Sequence, residues 1–139
     1  MSYNEIFNPA SASVLMGEAT KKKPQVLIID DEVDVCYLLK GILKQKSIEA
    51  AYVTTLAEGE IALAQYEPPV VFLDNHLPDG FGVDYIRLFK REHPSSKIVM
   101  LTAHDTFADR QRAYREGVDF FIGKPFSRNM ILNTIEKIL

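Results

Sequence analysis

Residues 26–32 read Val-Leu-Ile-Ile-Asp-Asp-Glu, four apolar side chains followed at once by three acidic ones. A short run of Val, Ile and Leu is typical of a central strand in a parallel sheet, which helices cover on both faces. The acidic residues then fall at the carboxyl end of that strand, the edge where open α/β sheets bind their ligands. The stretch therefore indicates a parallel sheet covered by helices, and it marks the carboxyl edge of that sheet as the place where chemistry is expected.

Four more apolar runs follow, with helical patterns between them. The predicted strands are residues 26–29, 50–53, 70–73, 98–101 and 120–122. Apolar residues at helical spacing are Val35, Leu38, Leu39, Ile42 and Leu43, then Val83, Ile86, Leu88 and Phe89, and later Ile131, Leu132, Ile135 and Ile138. This alternation predicts a single α/β domain with a doubly wound, five-stranded parallel sheet of order 2-1-3-4-5, a flavodoxin-like architecture.

Turn and helix-capping residues agree with this organisation. Pro78-Asp79-Gly80 marks a turn, and Gly117 and Ser127 stand where one helix should end and the next should begin. Residues 1–23 mix Asn, Ser, Ala, Pro and Gly without sustained periodicity and end in a run of three lysines. We expect a flexible N-terminal leader there, followed by one domain at 24–139. We interpret the lysine run as a solvated surface segment, and the alternative is that it is a docking patch for a partner.

Composition limits the classes of function. The chain has 139 residues, 47% hydrophobic and 25% charged, which suits one compact domain with a core. A formal net charge of -3 provides no basic field for nucleic-acid binding. The single cysteine, Cys36, cannot form an internal disulfide, and no apolar stretch approaches the ~18 residues of a membrane span. We expect a cytoplasmic protein that binds neither membranes nor nucleic acids directly.

Polar residues follow four of the five predicted strands. Asp30 and Asp31 come after the first strand, Asp74 after the third, Thr102 after the fourth and Lys124 after the fifth. In the order 2-1-3-4-5 the first and third strands are neighbours, so the three carboxylates converge in one crevice. Two carboxylates ~5 Å apart repel by roughly 3 kcal/mol at an effective dielectric of ~20. A hard divalent cation, Mg²⁺ or Mn²⁺, is the predicted remedy.

This set of residues is suited to accepting a phosphoryl group. An aspartate such as Asp74 can attack phosphorus to give an acyl phosphate, while the cation and Lys124 neutralise the oxygens of the transferring group. Thr102 can donate its hydroxyl to one of those oxygens. Taken singly, each residue has a plainer interpretation, with Asp30 and Asp31 as helix caps and the others as turn or solvated residues. Their coincidence at one edge favours the chemical interpretation.

Four motifs carry a resemblance to the receiver domains of bacterial response regulators. They are Val-Leu-Ile-Ile-Asp30-Asp31-Glu32, Phe-Leu-Asp74 followed by Leu77-Pro78-Asp79-Gly80-Phe81-Gly82, Val-Met-Leu-Thr102-Ala103, and Phe121-Ile-Gly-Lys124-Pro125-Phe126. The resemblance covers about residues 24–139. It implies that Asp74 is the phospho-acceptor, that Asp31 binds the metal directly and Asp30 through water, and that His76 lends its backbone carbonyl to the metal. It also implies a cis Lys124-Pro125 bond.

The same resemblance implies roles for residues around the acceptor. Thr102 and Lys124 correspond to the two phosphoryl-sensing residues. Phe121 occupies the position of an aromatic switch whose ring turns inward when the phosphoryl group is sensed, although it lacks a tyrosine hydroxyl and a plain strand aromatic is the alternative. His76 and His104 flank the phosphoryl group and influence its lifetime, or else are ordinary surface residues.

The implied function is signalling. The phosphoryl donor is a phosphohistidine of a sensor histidine kinase or phosphotransfer protein, and the chain catalyses only its own phosphorylation and dephosphorylation. The face of the fourth helix, fifth strand and fifth helix is the implied output surface, with Arg110, Arg112 and Tyr114 as exposed candidates. Because the fifth helix reaches the last residue, Leu139, we expect output to pass through another protein or a part absent from this sequence.

Three alternatives make different demands on the sequence. A phosphatase of the haloacid dehalogenase type needs an Asp two residues after the nucleophile, where this chain has His76. A flavodoxin-like cofactor carrier needs a glycine-rich and hydroxyl-rich phosphate loop after the first strand, where residues 30–34 are acidic except for one. A receiver that works by protein interaction alone needs no acceptor chemistry, yet every chemical residue is present. Spacing does not reveal the cognate kinase, output partner, pathway, oligomeric state or phosphoryl lifetime.

Overall fold

The computed structural model describes residues 23–139, so the predicted flexible leader at 1–23 lies outside the described residues except for Lys23. The strands of the main sheet are β1 (Val26–Ile29), β2 (Ala50–Val53), β3 (Val70–Leu73), β4 (Lys97–Thr102) and β5 (Phe120–Gly123). The helices are α1 (Val33–Lys44), α2 (Leu56–Tyr66), α3 (Ile86–Glu92), α4 (Phe107–Glu116) and α5 (Arg128–Ile138). None of the helices in this part of the chain is long and apolar enough to cross a membrane.

The main sheet is parallel throughout, and its strand order is β2-β1-β3-β4-β5. This confirms the predicted doubly wound, flavodoxin-like α/β fold and the adjacency of the first and third strands. The fourth strand is longer than predicted at both ends, because the polar residues Lys97 and Thr102 also pair with their neighbours, Val70 and Gly123. Strand pairing needs only backbone groups, so an apolar run underestimates the strand.

Apolar residues fill both faces of the sheet. On one face α1 and α5 pack over alternate strand residues, and Cys36 and Ile131 belong to that cluster. On the other face α2, α3 and α4 form a second cluster that includes Leu56 and Ile86. Every residue of β1, β2 and β3 is buried, as expected for strands covered on both sides. Each fully buried large aliphatic side chain stabilises the fold by roughly 1.5–3 kcal/mol.

One predicted core residue of α1 is wrong. Leu38 is 55% exposed, whereas Cys36, Leu39, Ile42 and Leu43 form the buried stripe of the helix. Residues two apart on a helix are separated by about 200°, so burying Cys36 turns Leu38 towards solvent. The sequence placed Cys36 on this helix as a small structural residue but counted Leu38 in the apolar stripe in its place.

The predicted helix boundaries after β4 and β5 are confirmed. Gly117 ends α4 in the left-handed region, with φ 109°, and the Ser127 hydroxyl caps α5 by accepting a hydrogen bond from the Met130 N–H. The predicted turn at Pro78-Asp79-Gly80 also forms, joining two short antiparallel strands, His76–Leu77 and Gly80–Phe81. Of these elements, the Pro78-Asp79-Gly80 turn and the Ser127 cap belong to loops that follow β3 and β5 at the carboxyl edge of the sheet, whereas Gly117 precedes β5.

Candidate functional site

Three carboxylates meet at the carboxyl edge of β1 and β3. Each of Asp30, Asp31 and Asp74 offers an oxygen, and these oxygens all lie within 4.8 Å of one another. Parallel pairing places them there, because the Asp74 N–H donates to the Ile29 carbonyl at 2.9 Å. Asp30 and Asp74 are buried and Asp31 is exposed. The predicted convergence of the three residues is therefore confirmed.

Burial opposes ionisation of the two inner carboxyls. It raises the pKa of Asp30 to about 6, against hydrogen bonds from the Glu32 N–H and Lys124 that favour the charged form. Burial also raises the pKa of Asp74, while Lys124, the Asn75 N–H and the Thr102 hydroxyl act in the opposite direction. The site thus holds negative charge that the protein alone compensates only in part.

Lys124 provides the positive charge of the cluster. Its Nζ lies 2.6 Å from Glu32 Oε1, 3.0 Å from Asp30 Oδ2 and 3.7 Å from Asp74 Oδ2. Burial lowers the pKa of the ammonium, but the hydrogen bonds to Glu32 and Asp30 outweigh burial and raise the pKa overall. The Lys124-Pro125 bond is cis, as the sequence resemblance implied. Glu32 is a site residue for which sequence reasoning assigned no role.

A divalent cation fits this donor set. The carboxylates of Asp30, Asp31, Asp74 and Glu32 with the Lys124 ammonium leave three negative charges when all are ionised, of which one divalent ion balances two. Mg²⁺ binds oxygen at about 2.0–2.1 Å in octahedral geometry, so opposite ligands stand about 4.2 Å apart. Oxygens within 4.8 Å of one another can meet that spacing with small side-chain movements, or with a water in one position. The candidate ligands from side chains are Asp30, Asp31 and Asp74.

Two histidines flank the acceptor loops. The rings of His76 and His104 stack with centroids 3.8 Å apart, and Phe81 meets His76 edge-on at 5.1 Å. The His104 N–H donates to the Thr102 hydroxyl oxygen at 3.2 Å, which links the loop after β4 to that residue. The structure therefore brings together two residues that the sequence placed on separate loops.

Phe121 is buried beneath α4. It is 9% exposed and belongs to the core cluster shared by α2, α3 and α4, and the Arg110 guanidinium lies 4.7 Å from the centre of its ring. A small pocket of ≈ 50 Å³ lies beside it, and Thr102 and Ala113 contribute to its lining. The aromatic ring and the buried threonine thus adjoin one cavity under α4.

The predicted exposed residues of α4 differ in their surroundings. Arg110 lies over Phe121 and its side chain is 42% exposed, so it is only partly the exposed residue that was predicted. Arg112 is exposed, and its guanidinium donates to Asp84 Oδ1 at 2.6 Å. Tyr114 is 51% exposed. Arg110 is drawn inward because a guanidinium gains from stacking on an aromatic face.

The chain is similar in sequence to known response regulators. A family model described as the response regulator receiver domain matches residues 26–136. The nitrogen assimilation regulatory protein NtrX of Azorhizobium caulinodans is 32% identical over 117 residues, which cover 82% of this chain and 26% of that protein. The probable transcriptional regulatory protein TcrX of Mycobacterium tuberculosis is 31% identical over 127 residues, 89% of this chain and 53% of that protein. The chain thus spans between about a quarter and half of these relatives.

Solved structures of receiver domains are also similar to this chain. The beryllofluoride-activated NtrC4 receiver domain dimer matches with a TM-score of 0.77 and 33% identity, covering 81% of this chain and 93% of that one. The receiver domain of NtrX from Brucella abortus matches with a TM-score of 0.76 and 30% identity, covering 82% of this chain and 97% of that one. In both cases the match extends over nearly all of an isolated receiver domain.

Proposed function

The chain belongs to the receiver domains of response regulators in two-component signalling, and on that basis we propose that Asp74 accepts a phosphoryl group with the help of bound Mg²⁺ or Mn²⁺. The observation that carries the proposal is the convergence of Asp30, Asp31 and Asp74 with Lys124 at one sheet edge. Receiver domains generally bind Mg²⁺, and the three carboxylates supply the hard oxygen ligands that this ion prefers.

Asp74 is the proposed nucleophile. Its Oδ1 accepts the Asn75 N–H at 2.8 Å, while Oδ2 faces Lys124. One carboxylate oxygen forms the new bond to phosphorus as the bond from phosphorus to the donor nitrogen breaks, and that nitrogen keeps the electron pair. Bound Mg²⁺ supplies charge neutralisation for the oxygens of the transferring group. Lys124 adds a positive charge on the same side of the acceptor.

Thr102 and Phe121 are the proposed switch residues. If the Thr102 side chain turns towards a phosphoryl oxygen, its hydroxyl can donate to that oxygen while it still accepts from the His104 N–H, so the loop after β4 must adjust with it. Phe121 borders the same cavity and already points inward, so movement of Thr102 changes the space available under α4. Two arrangements of this region, biased by the phosphoryl group, would give a two-state output.

The proposal includes the phosphoryl donor, the output surface and the cellular location of the protein. The phosphoryl donor is a phosphohistidine of a sensor histidine kinase or phosphotransfer protein, and the chain promotes only its own phosphorylation and dephosphorylation. The output surface consists of α4, β5 and α5, where Phe107 and Tyr114 lie seven residues apart and are 75% and 51% exposed. His76 and His104 tune the lifetime of the acyl phosphate. We place the protein in the cytoplasm, which suits its free, buried Cys36.

The test is intact mass spectrometry after incubation with acetyl phosphate and Mg²⁺. We expect one phosphoryl group on the wild type, and none with excess EDTA or in Asp74→Asn. Absence of phosphorylation in the wild type, with both acetyl phosphate and a phosphohistidine protein as donors, would favour a receiver that acts through protein contacts alone.

A further inference from the structure

Lys124 lies near the acceptor but donates its hydrogen bonds to two other carboxylates. An ammonium has three N–H groups, and two of them are taken by Glu32 Oε1 at 2.6 Å and Asp30 Oδ2 at 3.0 Å. The third neighbour, Asp74 Oδ2, is 3.7 Å away, which is too long for a hydrogen bond. The shortest contact of Lys124 is thus with a residue that lies outside the acceptor and metal set.

Glu32 reaches Lys124 from a rigid backbone. Its N–H donates to Asp30 Oδ1 at 2.8 Å, and its carbonyl accepts from the N–H groups of Val35 and Cys36 as the first turn of α1 begins. These three hydrogen bonds fix the point from which the side chain extends. The backbone position of Glu32 is therefore set by the sheet edge and by α1, and its carboxylate is held by Lys124.

Glu32 also breaks a local rule. It occupies the N-cap position of α1, where Ser, Thr, Asp or Asn normally accepts an N–H of the first turn, but its side chain makes no capping hydrogen bond. By contrast, Thr55, Thr106 and Ser127 cap three other helices in the usual way. A residue that forgoes the local stabilisation of its position and instead binds an ammonium whose side chain is only 12% exposed indicates a functional placement.

We propose that Glu32 is a positioning residue that holds Lys124 in a resting place and so competes with the phosphoryl group for its ammonium. The proposal rests on the proposed function, because the competitor is the group on Asp74. A phosphoryl oxygen can accept from the third N–H of Lys124, but it gains a further hydrogen bond from the ammonium only after the contact with Glu32 is loosened. Glu32 therefore lowers the affinity of the site for a phosphoryl group and favours the unphosphorylated state.

The exposure of the Glu32–Lys124 ion pair limits how much Glu32 can change the affinity for a phosphoryl group. The Glu32 side chain is 59% exposed, while that of Lys124 is only 12% exposed. Ion pairs with an exposed partner are weak, and the strongest measured exposed pairs correspond to about a fivefold change in an equilibrium constant. We therefore expect Glu32→Gln to bind a phosphoryl mimic about two to five times more tightly than the wild type.

Beryllofluoride, a mimic of the phosphoryl group on aspartate, provides the probe. Titrating it at saturating Mg²⁺ and following backbone amide shifts by NMR gives its affinity for the wild type and for Glu32→Gln. Saturating Mg²⁺ removes any effect of the lost carboxylate on metal binding. Asp34→Asn is the matched control, because it removes one negative charge from the exposed side of the same first turn of α1. We expect the control to match the wild type.

A double-mutant cycle shows whether Glu32 acts through Lys124. In a Lys124→Ala background, Glu32→Gln should leave beryllofluoride affinity unchanged, because the ammonium for which the two groups compete is gone. Lys124→Gln replaces Lys124→Ala if the latter does not fold. An equal gain in affinity with and without Lys124 would overturn the proposal, since Glu32 would then act only as a distant charge.

The outcomes also separate this inference from the proposed function. If the wild type binds beryllofluoride and accepts a phosphoryl group but Glu32→Gln is no tighter than the wild type, the positioning role is wrong and the acceptor role stands. If the wild type binds no beryllofluoride and gains no phosphoryl group, the proposed function fails, and the positioning role fails with it.

Discussion

Without a divalent cation, ionised Asp30 should lower the stability of the protein at neutral pH. Burial raises the pKa of Asp30 from 3.8 to about 6, so between these values the folded protein binds a proton that the unfolded chain releases. The free energy of unfolding must therefore fall as pH rises through this range and level off above it. At about 1.36 kcal/mol for each pKa unit, the loss amounts to roughly 3 kcal/mol.

Urea unfolding in EDTA, followed by circular dichroism, measures this loss. Wild type and Asp30→Asn are compared from about pH 4 to about pH 7.5, and the difference between them reports the ionisation of Asp30 together with its coupling to Asp74. We expect the wild type to lose stability relative to Asp30→Asn across that range, by up to roughly 3 kcal/mol. Asp34→Asn, an exposed change in α1, should run parallel to the wild type.

Magnesium supplies a second condition for the same experiment. It binds the ionised cluster, so it should restore the stability of the wild type above pH 6 and have a smaller effect on Asp30→Asn. Parallel pH profiles for the wild type and Asp30→Asn in EDTA would refute the reasoning, because they would mean that burial does not disfavour the charged form of Asp30.

Three further predictions concern other parts of the structure. A methyl group at Gly82 would overlap the backbone oxygen of Asp74, so Gly82→Ala should lower the free energy of unfolding in urea by roughly 1–3 kcal/mol. Gly41 in α1 has open space around it, so the control Gly41→Ala should raise the free energy of unfolding by up to about 1 kcal/mol. Asp74→Asn should raise the melting temperature in EDTA, since burial disfavours its charge, and Mg²⁺ should raise that of the wild type more than that of the variant. Arg110→Ala removes the cation stacked on Phe121 and should broaden or shift the ring signals of Phe121 in NMR spectra, whereas unchanged signals would mean that the stacking does not hold the ring.

The sequence predicted the fold and the carboxylate cluster because both depend on local patterns. An apolar run with a polar residue at its end indicates a strand and its carboxyl edge, and parallel order then brings Asp30 and Asp74 together. The same logic placed Thr102 and Lys124 at that edge. These inferences need the strand order but no side-chain conformation, and the strand order proved right.

The contacts that the sequence did not reveal depend on side-chain conformation or on distance along the chain. Glu32 and Lys124 are 92 residues apart, and an acidic residue at the start of a helix has an ordinary electrostatic explanation. The inward ring of Phe121 and the stacking of Arg110 on it are rotamer choices that no periodicity specifies. The exposure of Leu38 depends on how α1 is oriented about its axis: Cys36 faces the sheet, so Leu38 faces solvent.

The central claim is that Asp74 is the phosphoryl acceptor. An acyl phosphate is reduced by borohydride to an alcohol, which marks the modified residue for peptide mass spectrometry. After incubation with acetyl phosphate and Mg²⁺, we predict the reduced residue at position 74 and at no other acidic residue. Reduction at Asp30 or Asp31, or phosphorylation that persists in Asp74→Asn, would contradict the account.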